Sequence, residues 1–103
     1  MSQQIQKRWS MDQLRTHRDA ILAVAEQNGA FNVRVFGSVA RGDSDSSSDV
    51  DILVSFKPGS SIFDQVGLWM DLRDLLECEV DLLTDHPDAG PVTEAAREEA
   101  LSL

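Results

Sequence analysis

The strongest limit on the fold of this chain comes from the stretch between Phe36 and Val54, which reads FGSVARGDSDSSSDVDILV. It predicts a strand that ends at Gly37-Ser38, a tight turn, a polar loop and a second strand that carries Asp49 and Asp51. Side chains two residues apart share one face of a strand, so the two carboxylates project together. Any fold of this chain therefore has to place a sharp turn close to a pair of acids.

The two halves of this stretch favour different ligands. Gly37 allows the backbone to turn sharply and a ligand to approach closely. The residues from Ser38 to Arg41 can open a short helix whose free N–H groups attract an anion such as phosphate. Paired carboxylates suit hard cations such as Mg²⁺. A phosphate site beside a cation site indicates nucleotide chemistry.

Length and charge limit the remaining possibilities. A chain of 103 residues predicts one domain, 1–103, in which residues 1–9 form a loose polar leader. The net charge of −9 argues against a non-specific nucleic-acid binder, which needs a basic surface, so we expect no direct contact with nucleic acid. It does not argue against a nucleotide, since bound Mg²⁺ offsets local negative charge.

The compartment follows from hydropathy and cysteine content. No apolar run approaches the roughly 20 residues that span a bilayer, and the leader MSQQIQKRW has no signal-peptide core. The lone Cys78 is interpreted as a buried, inert thiol, because it has neither a disulfide partner nor the companions of a zinc site. These features predict a cytoplasmic protein with no membrane contact.

Periodicity predicts the order helix, strand, strand, helix, strand, helix. A helical crossover makes the second and third strands parallel neighbours, while a short connection allows the first two to pair antiparallel. The predicted fold class is α/β or α+β, a small mixed β-sheet with flanking helices. The predicted strands are 32–36, 50–56 and 80–83, and the predicted helices are one from the Ser10–Gln13 capping box to Asn28, the short one at 38–41, one from Ser61 to Leu76, and Val92–Leu101.

The helix that starts at Ser61 carries a broad apolar stripe. Ile62, Val66, Trp69, Leu72 and Leu76 recur at spacings of three and four, which predicts that they face the core. An aromatic ring in such a stripe is interpreted as core packing rather than as a stacking platform for adenine.

A third acid, Asp81, lies in an otherwise apolar strand, Val80 to Leu83. A charge in a core strand is costly unless it is paired or bound to a metal, although a solvated strand end would also accept it. A parallel neighbouring strand brings Asp81 beside Asp49 and Asp51. Three such carboxylates suit two divalent ions bridged to a triphosphate.

These residues resemble a known family. Gly37-Ser38, ten intervening residues, Asp49-x-Asp51 and the later Asp81 are similar to the motifs of the DNA polymerase β nucleotidyltransferase superfamily. Within it the chain resembles the minimal nucleotidyltransferases, which are encoded beside HEPN-domain proteins in prokaryotic toxin–antitoxin modules. The resemblance covers the chain from about Met11 onward and implies a fold like the polymerase β palm. The turn Glu77-Cys78-Glu79 departs from it, because a glycine or a basic residue is expected there.

The resemblance also implies a role for each motif residue. Gly37 and Ser38 hold the nucleotide phosphates, while Asp49 and Asp51 bind two Mg²⁺. Asp81 completes the metal and catalytic site and takes the proton from the acceptor. Arg41 falls in the nucleotide-binding motif, which implies a contact with phosphate or with the partner, and a surface salt bridge is the alternative.

Two functions of different classes remain open from the sequence. One is a Mg²⁺-dependent enzyme that transfers AMP from ATP to a protein hydroxyl, a tyrosine of a HEPN ribonuclease toxin, and so acts as its antitoxin. The other is an antitoxin that neutralises its partner by forming a complex without catalysis. Three clustered acids favour the enzyme, since binding alone has no need of them. A protein that binds Mg²⁺ or phosphate without transfer is the more distant alternative.

Overall fold

The structure is a computed structural model that describes residues 8–45 and 49–103. Its helices pack around a four-stranded mixed sheet, which confirms the predicted fold class. In chain order they are α1 Met11–Thr16, α2 Arg18–Gln27, β1 Ala30–Phe36, α3 Gly37–Arg41, β2 Val50–Phe56, α4 Ile62–Leu76, β3 Val80–Thr84, α5 Pro91–Glu99 and β4 Leu101–Ser102.

The sheet has the strand order β3-β2-β1-β4. β1 runs antiparallel to both β2 and β4, whereas β2 and β3 run parallel and are joined through α4. The crossover therefore acts as the sequence predicts, because a helix between two strands allows the chain to return to the same end of the sheet.

One face of the sheet packs against α2 and α4. Val50, Ile52 and Val80 point to this face, and they join the buried core with leucines of α4. Because successive side chains alternate across a strand, Asp51 and Asp81 point to the opposite face. The ten largest fully buried side chains are Leu14, Ile21, Ile52, Leu53, Leu68, Leu72, Leu76, Val35, Val50 and Val54.

Local sequence explains where the helices begin. The Ser10 hydroxyl accepts a hydrogen bond from the N–H of Gln13, whose side chain accepts one from the N–H of Ser10, so the predicted capping box is confirmed. Ser61 and Asp64 form the same arrangement at the start of α4. Each box satisfies backbone N–H groups that a helix start otherwise leaves without partners.

Three expectations about the chain's periphery are wrong. The first long helix is interrupted at His17, which ends α1 and precedes α2. Leu101 belongs to the short strand β4 rather than to the last helix. Trp9, placed in the loose leader by its polar neighbours, is buried, and its indole N–H donates to the carbonyl of Leu76 at 2.7 Å. The rest of the predicted leader, residues 1–7, lies outside the described residues.

The predicted stripe on α4 is only partly core. Leu72 and Leu76 are buried, and Trp69 is half-buried with its indole N–H donating to the carbonyl of Val80. Ile62 and Val66, by contrast, are 62% and 45% exposed, so the prediction is wrong for the first turns of the helix.

Cys78 is buried, as predicted, and burial raises the pKa of its thiol to about 11, which keeps it protonated and unreactive at neutral pH. Among the described residues, none of the helices combines the length and the apolar character that crossing a bilayer requires.

Candidate active site

The turn at Gly37 lies directly against Asp51. β1 pairs with β2 so that Phe36 is opposite Asp51, and the next residue, Gly37, has a positive φ of 72°. A side chain at this position would overlap the Asp51 carboxylate. Glycine is thus required here twice, for its backbone conformation and for the close approach of the acid.

The parallel pairing of β2 and β3 aligns two of the predicted acids. Asp51 and Asp81 are register partners on adjacent strands and project to the same face of the sheet. Asp49 is exposed and lies just before β2, two residues from Asp51. The structure therefore brings these three acids to one end of the β2–β3 pair, as the sequence predicts.

Burial and the neighbouring acids raise the pKa of Asp51. Burial raises its pKa most, and the carboxylates of Asp81, Asp49 and Glu99 raise it further, to about 6. Three neighbouring negative charges disfavour a fourth, because like charges repel more strongly where water is partly excluded. A cation at this site would remove that repulsion.

The turn after β1 continues into the short helix α3, as predicted. Ser38 is half-buried in its first turn, and α3 ends at Gly42, which adopts the left-handed conformation with φ of 82°. The N–H of Gly37 donates to Glu99 Oε1 at 2.8 Å. The Glu99 carboxylate, at the end of α5, thus accepts a hydrogen bond from a main-chain N–H at the start of α3. Glu99 belongs to this site, and the sequence analysis missed it.

Arg41 lies at the end of α3 and is about half exposed. Its guanidinium forms ion pairs with Asp43 and Glu99, each at 3.3 Å. Arg41 therefore forms the surface salt bridges that were the alternative prediction. The same contacts keep its guanidinium close to the α3 turn. The loop that follows was predicted over residues 43–48, of which 46–48 lie outside the described residues.

Asp49, Asp51 and Asp81 are chemically suitable ligands for a hard divalent cation, although their side chains are not arranged as a complete metal site. Within the ranges 8–45 and 49–103, no three His, Cys, Asp or Glu side chains lie close enough together to hold a metal ion as they stand. Carboxylate oxygens are nevertheless the donors that Mg²⁺ prefers, and a protein site for Mg²⁺ usually leaves positions for phosphate oxygens and water. The raised pKa of Asp51 indicates charge that such an ion would neutralise.

Comparison with known proteins identifies the family and the fold of this chain. The family model described as polymerase beta, nucleotidyltransferase, matches residues 20–98. The chain belongs to this nucleotidyltransferase family. The matched span contains every predicted motif residue from Gly37 to Asp81 and also reaches into α5.

Relatives of this nucleotidyltransferase are found among archaeal proteins. Two proteins of Methanocaldococcus jannaschii are both provisionally named protein adenylyltransferases. One is 41% identical over 64 residues, which cover 62% of this chain and 69% of that protein. The other is 33% identical over 88 residues, which cover 85% of this chain and 87% of that protein. The protein adenylyltransferase MntA of Thermococcus cleftensis is 41% identical over 58 residues, which cover 56% of this chain and 59% of that protein.

Solved structures agree with this assignment. A chain provisionally described as a minimal nucleotidyltransferase superposes with a TM-score of 0.80 at 37% identity, and the match covers 94% of this chain and 99% of that one. A chain from a toxin–antitoxin crystal structure with AMP-PNP has a TM-score of 0.68 at 22% identity, covering 82% and 69%, and shares the fold. The chain is therefore an enzyme of the nucleotidyltransferase class.

Proposed function

We propose that this nucleotidyltransferase transfers AMP from ATP to a hydroxyl group of a partner protein. The observation that carries the proposal is the alignment of Asp51 with Asp81 across β2 and β3, with Gly37 pressed against the Asp51 carboxylate. This arrangement puts the turn at the start of α3 next to clustered acids. Relatives named protein adenylyltransferases, at 32–41% identity, support a protein as the acceptor.

Each motif residue has a distinct part in the proposed reaction. Gly37 and Ser38 bind the phosphates at the α3 turn, and Arg41 adds a positive charge beside them. Mg²⁺ ions held by Asp49, Asp51 and Asp81 would offset the charge of the triphosphate and of the departing pyrophosphate. Such an arrangement accelerates transfer mainly by position and electrostatics.

The chemistry is a displacement at the α-phosphorus of ATP. The acceptor oxygen forms a bond to this phosphorus, the bond to the bridging oxygen of the β-phosphate breaks, and pyrophosphate leaves. In this proposal Asp81, which is exposed, takes the proton that the acceptor hydroxyl loses.

The proposed acceptor is a tyrosine of a HEPN-type ribonuclease toxin, which makes this chain an antitoxin of the cytoplasm. A bulky nucleotide near the toxin's active site adds negative charge, which repels and occludes RNA. The net charge of −9 would attract this acidic chain to a basic, RNA-binding partner.

The test is incubation with ATP labelled at the α-phosphate, Mg²⁺ and the purified HEPN-type protein. We expect label in the partner and a mass increase of one AMP per modified tyrosine. Asp49→Asn with Asp51→Asn should abolish transfer, whereas Asp88→Asn, in an exposed loop, should not. The rival function, neutralisation by binding alone, predicts no label and full protection of cells by the double variant.

A further inference from the structure

The first half of α4 presents apolar side chains to solvent. Ile62, Val66 and Met70 follow one another at intervals of four residues, which places them on one face of the helix. They are 62%, 45% and 53% exposed, and Phe63 beside them is 83% exposed. The core of this chain uses the other face of α4, through Leu68, Leu72 and Leu76. An apolar helix face that the fold leaves open marks a surface for another molecule.

This face borders a groove of about 250 Å³ between α4 and β3. Ile62, Val66 and Trp69 line it from the helix. At its other wall lie residues of β3, including Leu82 and the exposed acid Asp81. Asp81, whose carboxylate projects to the opposite face of the sheet, thus lies both at this groove and among the three acids of the active site.

The groove also follows an open edge of the sheet. Within the described part of the chain, β3 is the outermost strand and pairs only with β2. The Val80 carbonyl points away from β2, because it accepts the indole N–H of Trp69 at 2.8 Å. Main-chain groups alternate in direction along a strand, so those of Leu82 face the same outer edge. An extended peptide can bind such an edge through its own main chain while its side chains enter neighbouring pockets.

We propose that this groove docks the segment of the acceptor protein that carries the accepting hydroxyl. The inference rests on the proposed function and names the surface that selects its partner. The segment is extended, presents aliphatic or aromatic side chains to Val66 and Ile62, and bears basic residues near the hydroxyl, which reaches Asp81.

Two observations favour this occupant over others. A second copy of the chain would bring a further net charge of −9 against the acids at the end of the groove, whereas a basic segment would be attracted to them. An adenine base would need an open aromatic face to stack on, but the guanidinium of Arg73 already covers the Trp69 ring at 4.7 Å from its centroid.

The experiment compares the same substitution at two exposed valines on different helices. Val66→Asp places a charge in the groove, and Val92→Asp, at a position 72% exposed on α5, is the matched control. Binding of the purified HEPN-type protein is measured by fluorescence anisotropy without nucleotide, and binding of Mg²⁺–ATP by calorimetry. Thermal melts establish that each variant folds, and the milder Ile62→Thr provides a second change in the groove.

We expect Val66→Asp to weaken partner binding about tenfold or more, as loss of a central apolar contact does, and to leave Mg²⁺–ATP affinity within about twofold. Ile62→Thr should weaken it in the same direction, and Val92→Asp should match the wild type.

Unchanged partner binding by folded Val66→Asp, or a wild-type chain that does not bind the partner, overturns the proposal. If Val66→Asp also weakened Mg²⁺–ATP binding, the groove would be the site of the adenine base instead. If Val66→Asp dissociated a dimer of this chain, the groove would be the site of a second copy of the chain. Partner binding that depends on Val66 without any transfer of label leaves docking intact and refutes the proposed transfer. Transfer that Val66→Asp leaves unchanged refutes docking alone.

Discussion

Glu99 accepts a hydrogen bond from the main-chain N–H of Gly37 at 2.8 Å, although 62 positions separate the two residues in the chain. Its other carboxylate oxygen lies 3.3 Å from the guanidinium of Arg41. One carboxylate thus connects the first and last residues of α3. The end of α5 therefore helps to hold the turn that begins α3, and the Glu99 carboxylate also raises the pKa of Asp51.

Removing a neighbouring charge should lower the pKa of Asp51. Asp81 raises this pKa more than Glu99 does, so Asp81→Asn should lower it further than Glu99→Gln. The pKa is measured from the carboxyl carbon chemical shift of Asp51 by NMR across a pH titration. Glu98→Gln, which changes the adjacent residue, is the control and should leave the titration unchanged. A pKa that stays at the wild-type value in both Asp81→Asn and Glu99→Gln would show that neither carboxylate perturbs Asp51.

The stability of the protein should depend on pH through Asp51. Its pKa rises from 3.8 to about 6 on folding, so between these values the folded state retains a proton that the unfolded chain releases. The Asp51 contribution to the free energy of unfolding therefore falls as pH rises through this window, and it stays low above it. Asp51→Asn should gain stability relative to wild type as pH increases from about 4 to 7.

Urea unfolding of both proteins at several pH values measures this difference. Comparing the two cancels the opposite effect of Asp85, whose pKa is lowered by its hydrogen bond from Arg97, so that its contribution is lost as pH falls. A constant difference between variant and wild type from pH 4 to 8 would contradict the prediction.

Ser38 should affect nucleotide binding with little effect on folding. It is half-buried at the start of α3, and on the proposed function Ser38→Ala would remove one hydrogen bond to a charged phosphate. We expect triphosphate binding to weaken by roughly 1.5–3 kcal/mol, measured by calorimetry with Mg²⁺–ATP. Ser102→Ala, at an exposed position in β4, is the control. Equal affinity for Ser38→Ala and wild type would remove the phosphate role of this residue.

Trp9 should contribute to stability through its single indole N–H. Trp9→Phe keeps an aromatic ring but leaves the buried Leu76 carbonyl without this donor, at a cost of about 1–3 kcal/mol in the free energy of unfolding. Chemical denaturation measures the change. Trp69→Phe loses a similar bond at the half-buried edge of β3 and should cost less. No loss of stability in Trp9→Phe would show that water replaces the donor.

Sequence reasoning succeeded where local pattern and chain direction decide the structure. Alternation located β2, and the helix that follows it requires a parallel return, which is why Asp51 and Asp81 could be predicted to meet. The contact between Glu99 and Gly37 could not be predicted, because it depends on where α5 packs and has no local signal. The same applies to β4, since two residues are too few to show a period.

The apolar stripe of α4 shows a different limit. Periodicity reports that side chains share a face of a helix, but it does not report what covers that face. Ile62 and Val66 follow the same spacing as Leu72 and Leu76, and only the latter pair is covered by this chain's own core. A pattern that predicts burial can thus indicate a surface awaiting another protein.

The alignment of Asp51 with Asp81 also has a consequence for folding. Thirty positions separate the two acids, and the parallel pairing that joins them forms only after the intervening helix has returned the chain to the sheet. Contacts between distant parts of a chain form slowly, because the entropy of closing the loop is lost before the contact is gained. A ligand that needs both carboxylates therefore binds only after β2 and β3 have paired, and the rate at which binding appears during refolding reports when that pairing forms.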